Sequence, residues 1–198
     1  MNYATMDKTS KTEMHRSFLI QGLPLPLTRA SGHIQLFDNY LMDTRIRLRS
    51  IRNPDTRSWT RILQQRSPAM ENELAILKIA EIFLNDEEYV RFKIFEGTEI
   101  RKNRYFHDVN GKIFGFDVYL GGLWGLNIAR IEFDDVDEMR EFEPHPFLIA
   151  EVTNEPFFAG ESLVSKIFAE VEAEVLRLGV TYNSGPDDEE GGMIRPFM

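Results

Sequence analysis

Arginines recur at every second position through Arg45, Arg47 and Arg49, and the same spacing returns in Lys102 and Arg104. Carboxylates stand on other segments, at Asp117, Glu132 and Glu151. Guanidinium and ammonium groups suit phosphate oxygens. Carboxylates suit Mg²⁺ or Mn²⁺, which in turn bind phosphates. The two sets together describe a site for a metal–polyphosphate complex.

The elements that would position these residues read mostly as strands. From Thr44 to Ile51 the arginines occupy one face and Ile46 and Leu48 the other, a period of two. Alternation recurs over Ile100–Phe106, Phe114–Leu120, Asn127–Phe133 and Leu148–Thr153. Breakers separate these runs: Asn53-Pro54-Asp55, Asn110-Gly111, Gly121-Gly122 and Pro144-His145-Pro146. Asn110-Gly111 is a hairpin signal, because both residues tolerate positive φ. Asp86–Phe95 reads as a helix capped by Asn85 with acids in its first turn. Glu161–Leu178 carries an apolar helical stripe, and a short helix fits Asp135–Phe142. Strands joined by hairpins, with a few helices, make an α+β antiparallel design.

Charged strand faces ordinarily point to solvent. Here they are grouped by sign, and the helices need an apolar surface to cover. Helices outside the sheet would turn the charged faces inward, and a closed barrel of that kind has a charged interior. Buried charge is costly unless paired or bound to something charged. The 15 phenylalanines are most simply packing beneath the helices.

The chain has 198 residues, 42% hydrophobic and 28% charged, with a formal net charge of −9 and no cysteine. One domain over 12–182 is expected, between a polar tail at 1–11 and a disordered acidic tail at 183–198. Disulfides and thiolate metal sites are excluded. No apolar run is long enough to span a bilayer, no secretory signal opens the chain, and the cytoplasm is the expected location. Overall acidity argues against nucleic acid as a partner. No membrane partner is expected, and a homodimer is left open.

The run Ile100-Arg-Lys-Asn-Arg-Tyr105, then Phe116-Asp-Val-Tyr119, Gly125-Leu126, Ala129-Arg-Ile-Glu132 and Glu151-Val-Thr153 resembles the CYTH domain, or triphosphate tunnel metalloenzymes. The ordered set spans roughly residues 13–170. The resemblance implies an eight-stranded antiparallel β-barrel with helices outside, holding triphosphate with Mg²⁺ or Mn²⁺. It assigns phosphate binding to Arg45, Arg47, Lys102 and Arg104, with Arg61 and Arg130 as further cations. It assigns metal binding to Glu13, Asp117, Glu132 and Glu151.

The family's opening Glu-x-Glu-x-Lys reads here Glu13-Met-His15-Arg-Ser17, so a histidine replaces an acid and a serine the lysine. A second acidic pair falls at Leu77 and Ile79, leaving Glu81, and Arg130 replaces the first glutamate of Glu-Ile-Glu. The basic half is kept and the acidic half thinned. Three functions follow: a metal-dependent hydrolase of tripolyphosphate or a small organic triphosphate, a non-catalytic polyphosphate- or nucleotide-binding module, or an adenylate cyclase. The intact Glu132 and Glu151 favour the hydrolase.

Overall fold

A computed structural model describes residues 8–71, 73–93 and 98–181. The nine strands are β1 (Lys8–Leu19), β2 (His33–Tyr40), β3 (Ile46–Arg52), β4 (Trp59–Pro68), β5 (Ile76–Leu84), β6 (Thr98–Val109), β7 (Lys112–Tyr119), β8 (Asn127–Phe133) and the two-residue β9 (Ala150–Glu151). Eight of them run in the hydrogen-bonded order β5-β4-β3-β2-β6-β7-β8-β1, and β1 pairs back onto β5. Every pairing is antiparallel, so the sheet closes into a barrel and removes its own edges.

Closure depends on a long β1 that serves two partners. Lys8–Met14 pairs with β5, and Met14–Leu19 pairs with β8. Where β5 has ended, β9 takes the vacated edge opposite Phe18 and Leu19. Lys8–Lys11, expected as part of a tail, are therefore strand. The rest of both expected tails lies outside the described residues.

Alternation sorts the wall into two faces. Phe18, Tyr105, Phe114, Phe116, Ala129, Ile131 and Phe133 point out and pack beneath Met139, Phe142, Phe147 and Leu148. At one end of the barrel the inward Tyr40, Ile100, Tyr119 and Ile128 join Phe158, Leu163, Val171 and Val175 in a second apolar cluster.

Among the described residues four helices lie outside the barrel: α1 (Asp86–Phe92), α2 (Val136–Glu141), α3 (Gly160–Leu163) and α4 (Phe168–Arg177). Asn85 caps α1 in a reciprocal bond with Glu88, and Asp135 caps α2. The single helix expected over Glu161–Leu178 is broken. Ile167 is extended, at φ −114° and ψ 162°, so the apolar stripe is carried by two helices meeting at an angle the pattern does not reveal. Asn110 and Gly111 adopt φ 55° and 83° in the β6–β7 hairpin. No described helix is long and apolar enough to cross a membrane.

Candidate functional site

A cavity of about 340 Å³ runs through the barrel, lined by alternate residues of all eight strands. Arg47 and Arg49 face it from β3, Arg66 from β4, Lys102 and Arg104 from β6, and Arg130 from β8. Four carboxylates stand among these six cations: Glu13, Asp38, Glu81 and Asp117. The middle of the cavity thus carries a surplus of two positive charges. Lys11, Glu132 and Glu161 line its margins, where all three are exposed.

Three of the four carboxylates, Glu13, Asp38 and Asp117, are each held between two cations. Arg104 grips Asp117 through Nε at 2.6 Å and Nη2 at 2.7 Å, while Lys102 Nζ donates to the same carboxylate at 2.6 Å. Arg49 grips Asp38 with two bonds of 2.6 Å, and Arg47 Nη1 approaches it at 3.4 Å. Arg47 also donates to Gln64 Oε1 at 2.5 Å and to the Tyr40 hydroxyl at 3.2 Å. Arg130 donates to Glu13, and Arg66 lies 3.6 Å from the same carboxylate. Gln64 donates to Glu81, which also accepts from Thr9 at 3.3 Å.

Burial works to raise these carboxyls, and the cations overcome it. Arg130 and then Arg66 hold Glu13 at about 2. Arg47 with Arg49 holds Asp38, and Arg104 with Lys102 holds Asp117, below the ordinary carboxylate range. On the basic side, burial depresses Lys102 to about 8 despite Asp117. Burial, with Arg47 and Arg130 beside it, depresses Arg66 to about 9. His15 is buried and its Nδ1 has no partner; burial first, then Arg130, holds the imidazole well below its usual value, so the ring is neutral.

The sequence-derived site divides between the two faces of the wall. Arg47, Lys102, Arg104, Arg130, Glu13, Asp117 and Glu132 line the cavity. Arg45 does not: it is exposed and donates to Ser67 Oγ at 2.9 Å, just before β3 begins. Arg61 does not either. On β4 the inward residues are Ile62, Gln64 and Arg66, so Arg61 points out, with its guanidinium 4.0 Å from the Trp59 ring and 4.2 Å from the Tyr89 ring. Glu151 is opposite Phe18, shares its outward face, and pairs with Arg16. Sequence reasoning missed Asp38, Arg66 and Gln64.

The four carboxylates assigned to metal do not converge. Glu13 and Asp117 are turned to different cation pairs, Glu132 is at the exposed margin and Glu151 is outside. Among the described residues no three of His, Asp and Glu come together to hold a metal. A divalent ion needs several oxygens free to point at one centre, and here those oxygens are taken by guanidinium and ammonium groups. As the side chains stand, this donor set does not fit such an ion.

No protein-family model matches the chain, and no curated protein matches it. Solved structures do. The crystal structure of the inorganic triphosphatase NE1496 aligns at 23% identity with a TM-score of 0.54, over 78% of this chain and 95% of the other. A second structure of NE1496, described as a hypothetical protein, aligns at the same identity and TM-score over 99% of its length. The protein PH1819 from Pyrococcus horikoshii OT3 aligns at 16% identity with a TM-score of 0.45. The NE1496 likeness establishes the fold: this chain has the triphosphate-tunnel barrel.

Proposed function

We propose that the barrel binds the phosphate chain of a small polyanion of the triphosphate class, and that it does so with its own cations rather than through a resident metal. The observation that carries this reading is the middle of the lining, in which six cations outnumber four carboxylates. Glu13, Asp38 and Asp117 each act as a fixed counter-ion that lowers the cost of burying two positive groups. An incoming polyanion would balance the remaining surplus, and bidentate guanidinium contacts would orient it.

Hydrolysis of the bound triphosphate is the second reading. It is favoured by the fold shared with NE1496, a protein described as an inorganic triphosphatase. Its sequence basis is narrower with Glu151 on the outer wall. Calorimetric titration of tripolyphosphate in the presence of a chelator tests the first reading, which expects saturable binding; heat no greater than dilution would sink it. Phosphate release on adding Mg²⁺ or Mn²⁺ would instead establish the hydrolase.

A further inference from the structure

We infer that a phosphate group of the polyanion seats at one pole of the cavity, between Arg66, Arg130 and His15, with Glu13 serving as that pole's counter-ion. This rests on the polyanion-binding reading and narrows it to one part of the lining.

The three cation–carboxylate sets are not equivalent. Around Asp117 and Asp38 the donors are used in bonds of 2.6–2.7 Å. Around Glu13 only Arg130 donates. Arg66 stands 3.6 Å from the carboxylate, beyond hydrogen-bond reach, and its buried Nε has no partner. His15, 5% exposed, leaves Nδ1 without a partner on the wall of the same cavity. Buried polar atoms are nearly always bonded in folded proteins, and unpaired ones are explained by a role. Here the two belong to residues on separate strands that line one cavity. A phosphate oxygen answers both, since it accepts from a guanidinium Nε and from an imidazole N–H.

The charge arrangement points the same way. Arg66 has two cationic neighbours, Arg47 and Arg130, against one nearby carboxylate. Of the guanidiniums lining the cavity it is the one least offset by carboxylate, so a bound anion gains most beside it. His15 adds a donor there without adding charge. Arg130 lies across the β1–β8 pairing, opposite Ser17 and one in-facing position from Glu132 opposite His15. Tripolyphosphate reaching this pole would meet donors from β1, β4 and β8.

Calorimetry of tripolyphosphate binding to the full chain, with chelator present, tests the assignment. Arg66→Gln and Arg130→Gln should each weaken binding about tenfold or more, and His15→Ala should weaken it several-fold. Glu13→Gln removes the counter-ion and should tighten binding, a gain that a misfolded chain would not produce. Unchanged affinity in Arg66→Gln and His15→Ala, or unchanged or weaker binding in Glu13→Gln, would overturn the assignment while leaving the polyanion reading intact. No binding by the unaltered chain would sink the reading itself, and the assignment with it.

Discussion

Arg16 closes a two-pronged bond on Glu151 outside the barrel, with Nε 2.9 Å from Oε1 and Nη2 2.5 Å from Oε2. The same guanidinium donates to the Phe142 carbonyl at 2.7 Å and lies over the Phe18 ring, 5.1 Å from its centroid. Glu151 also accepts from the Thr153 hydroxyl at 2.6 Å. The pair therefore ties the segment after α2 to the back of β1. Arg16 is the more buried partner; Glu151 is 38% exposed, which limits what the pair contributes. Glu151→Gln should cost about 1 kcal/mol, or roughly 2–4 °C in a thermal melt. Its tripolyphosphate affinity should match that of the unaltered chain; a clear loss would return Glu151 to the binding site.

The Glu151 case shows what period-two reasoning reaches and where it stops. A strand with arginines on one face and aliphatic residues on the other, such as β3, was legible because both faces speak. On β2 the inward face is Ile34, Leu36, Asp38 and Tyr40, only one of them charged, so Asp38 carried no periodic signal. On β4 each face holds one arginine, Arg61 outside and Arg66 inside, and a one-residue register choice exchanges them. Glu151 belongs to a strand of two residues, too short to display its own alternation. Its face is fixed by Phe18 across the ladder, a contact between segments far apart in the chain. The barrel and its basic lining were thus readable, whereas the pairing of Glu13, Asp38 and Asp117 with two bases each needed the register.

Those pairings set the acid limb of stability. Glu13 falls from 4.5 to about 2 in the folded chain, and Asp38 and Asp117 are depressed further below the usual range. A carboxyl depressed on folding stabilises above its unfolded value, and that stability drains as pH falls through the folded one. Glu13 alone corresponds to about 3 kcal/mol. Denaturant midpoints should begin to slip below about pH 6.5, where only the unfolded chain protonates His15, and fall more steeply from about pH 4.5 towards pH 2, with further loss below as Asp38 and Asp117 protonate. In Glu13→Gln the part of the decline between pH 4.5 and 2 should be shallower. A profile unchanged by the substitution would mean that Glu13 is not held by Arg130 and Arg66.

Arg61 offers a test of the outer wall. Its guanidinium lies between the Trp59 and Tyr89 rings, linking the start of β4 to α1. Two such contacts at a partly exposed site contribute about 1–2 kcal/mol together. Arg61→Ala should lower the denaturation midpoint accordingly and shift the Trp59 emission as its cationic neighbour leaves. Tripolyphosphate titration should be indistinguishable from that of the unaltered chain. A tenfold weaker Kd would place Arg61 at the cavity after all.

Gly160 touches the site through contact rather than charge. A Cβ built there would stand 1.8 Å from the Tyr40 hydroxyl oxygen and 2.5 Å from the ring carbon that bears it. Tyr40 is buried in the end cluster with Leu163 and Phe158, so its ring can move only towards the cavity it lines. Its hydroxyl also accepts from Arg47 Nη1 at 3.2 Å. In Gly160→Ala either α3 lifts from the barrel end or the tyrosine swings and releases Arg47. Overpacking of this kind costs about 1–3 kcal/mol. The melting temperature should therefore drop by several degrees, and polyanion affinity should fall with it because Arg47 loses one of its three partners. Gly160→Ala combined with Tyr40→Phe, which removes the clashing oxygen, should recover part of the stability without restoring affinity. Full recovery of both would show that Tyr40 does not position Arg47.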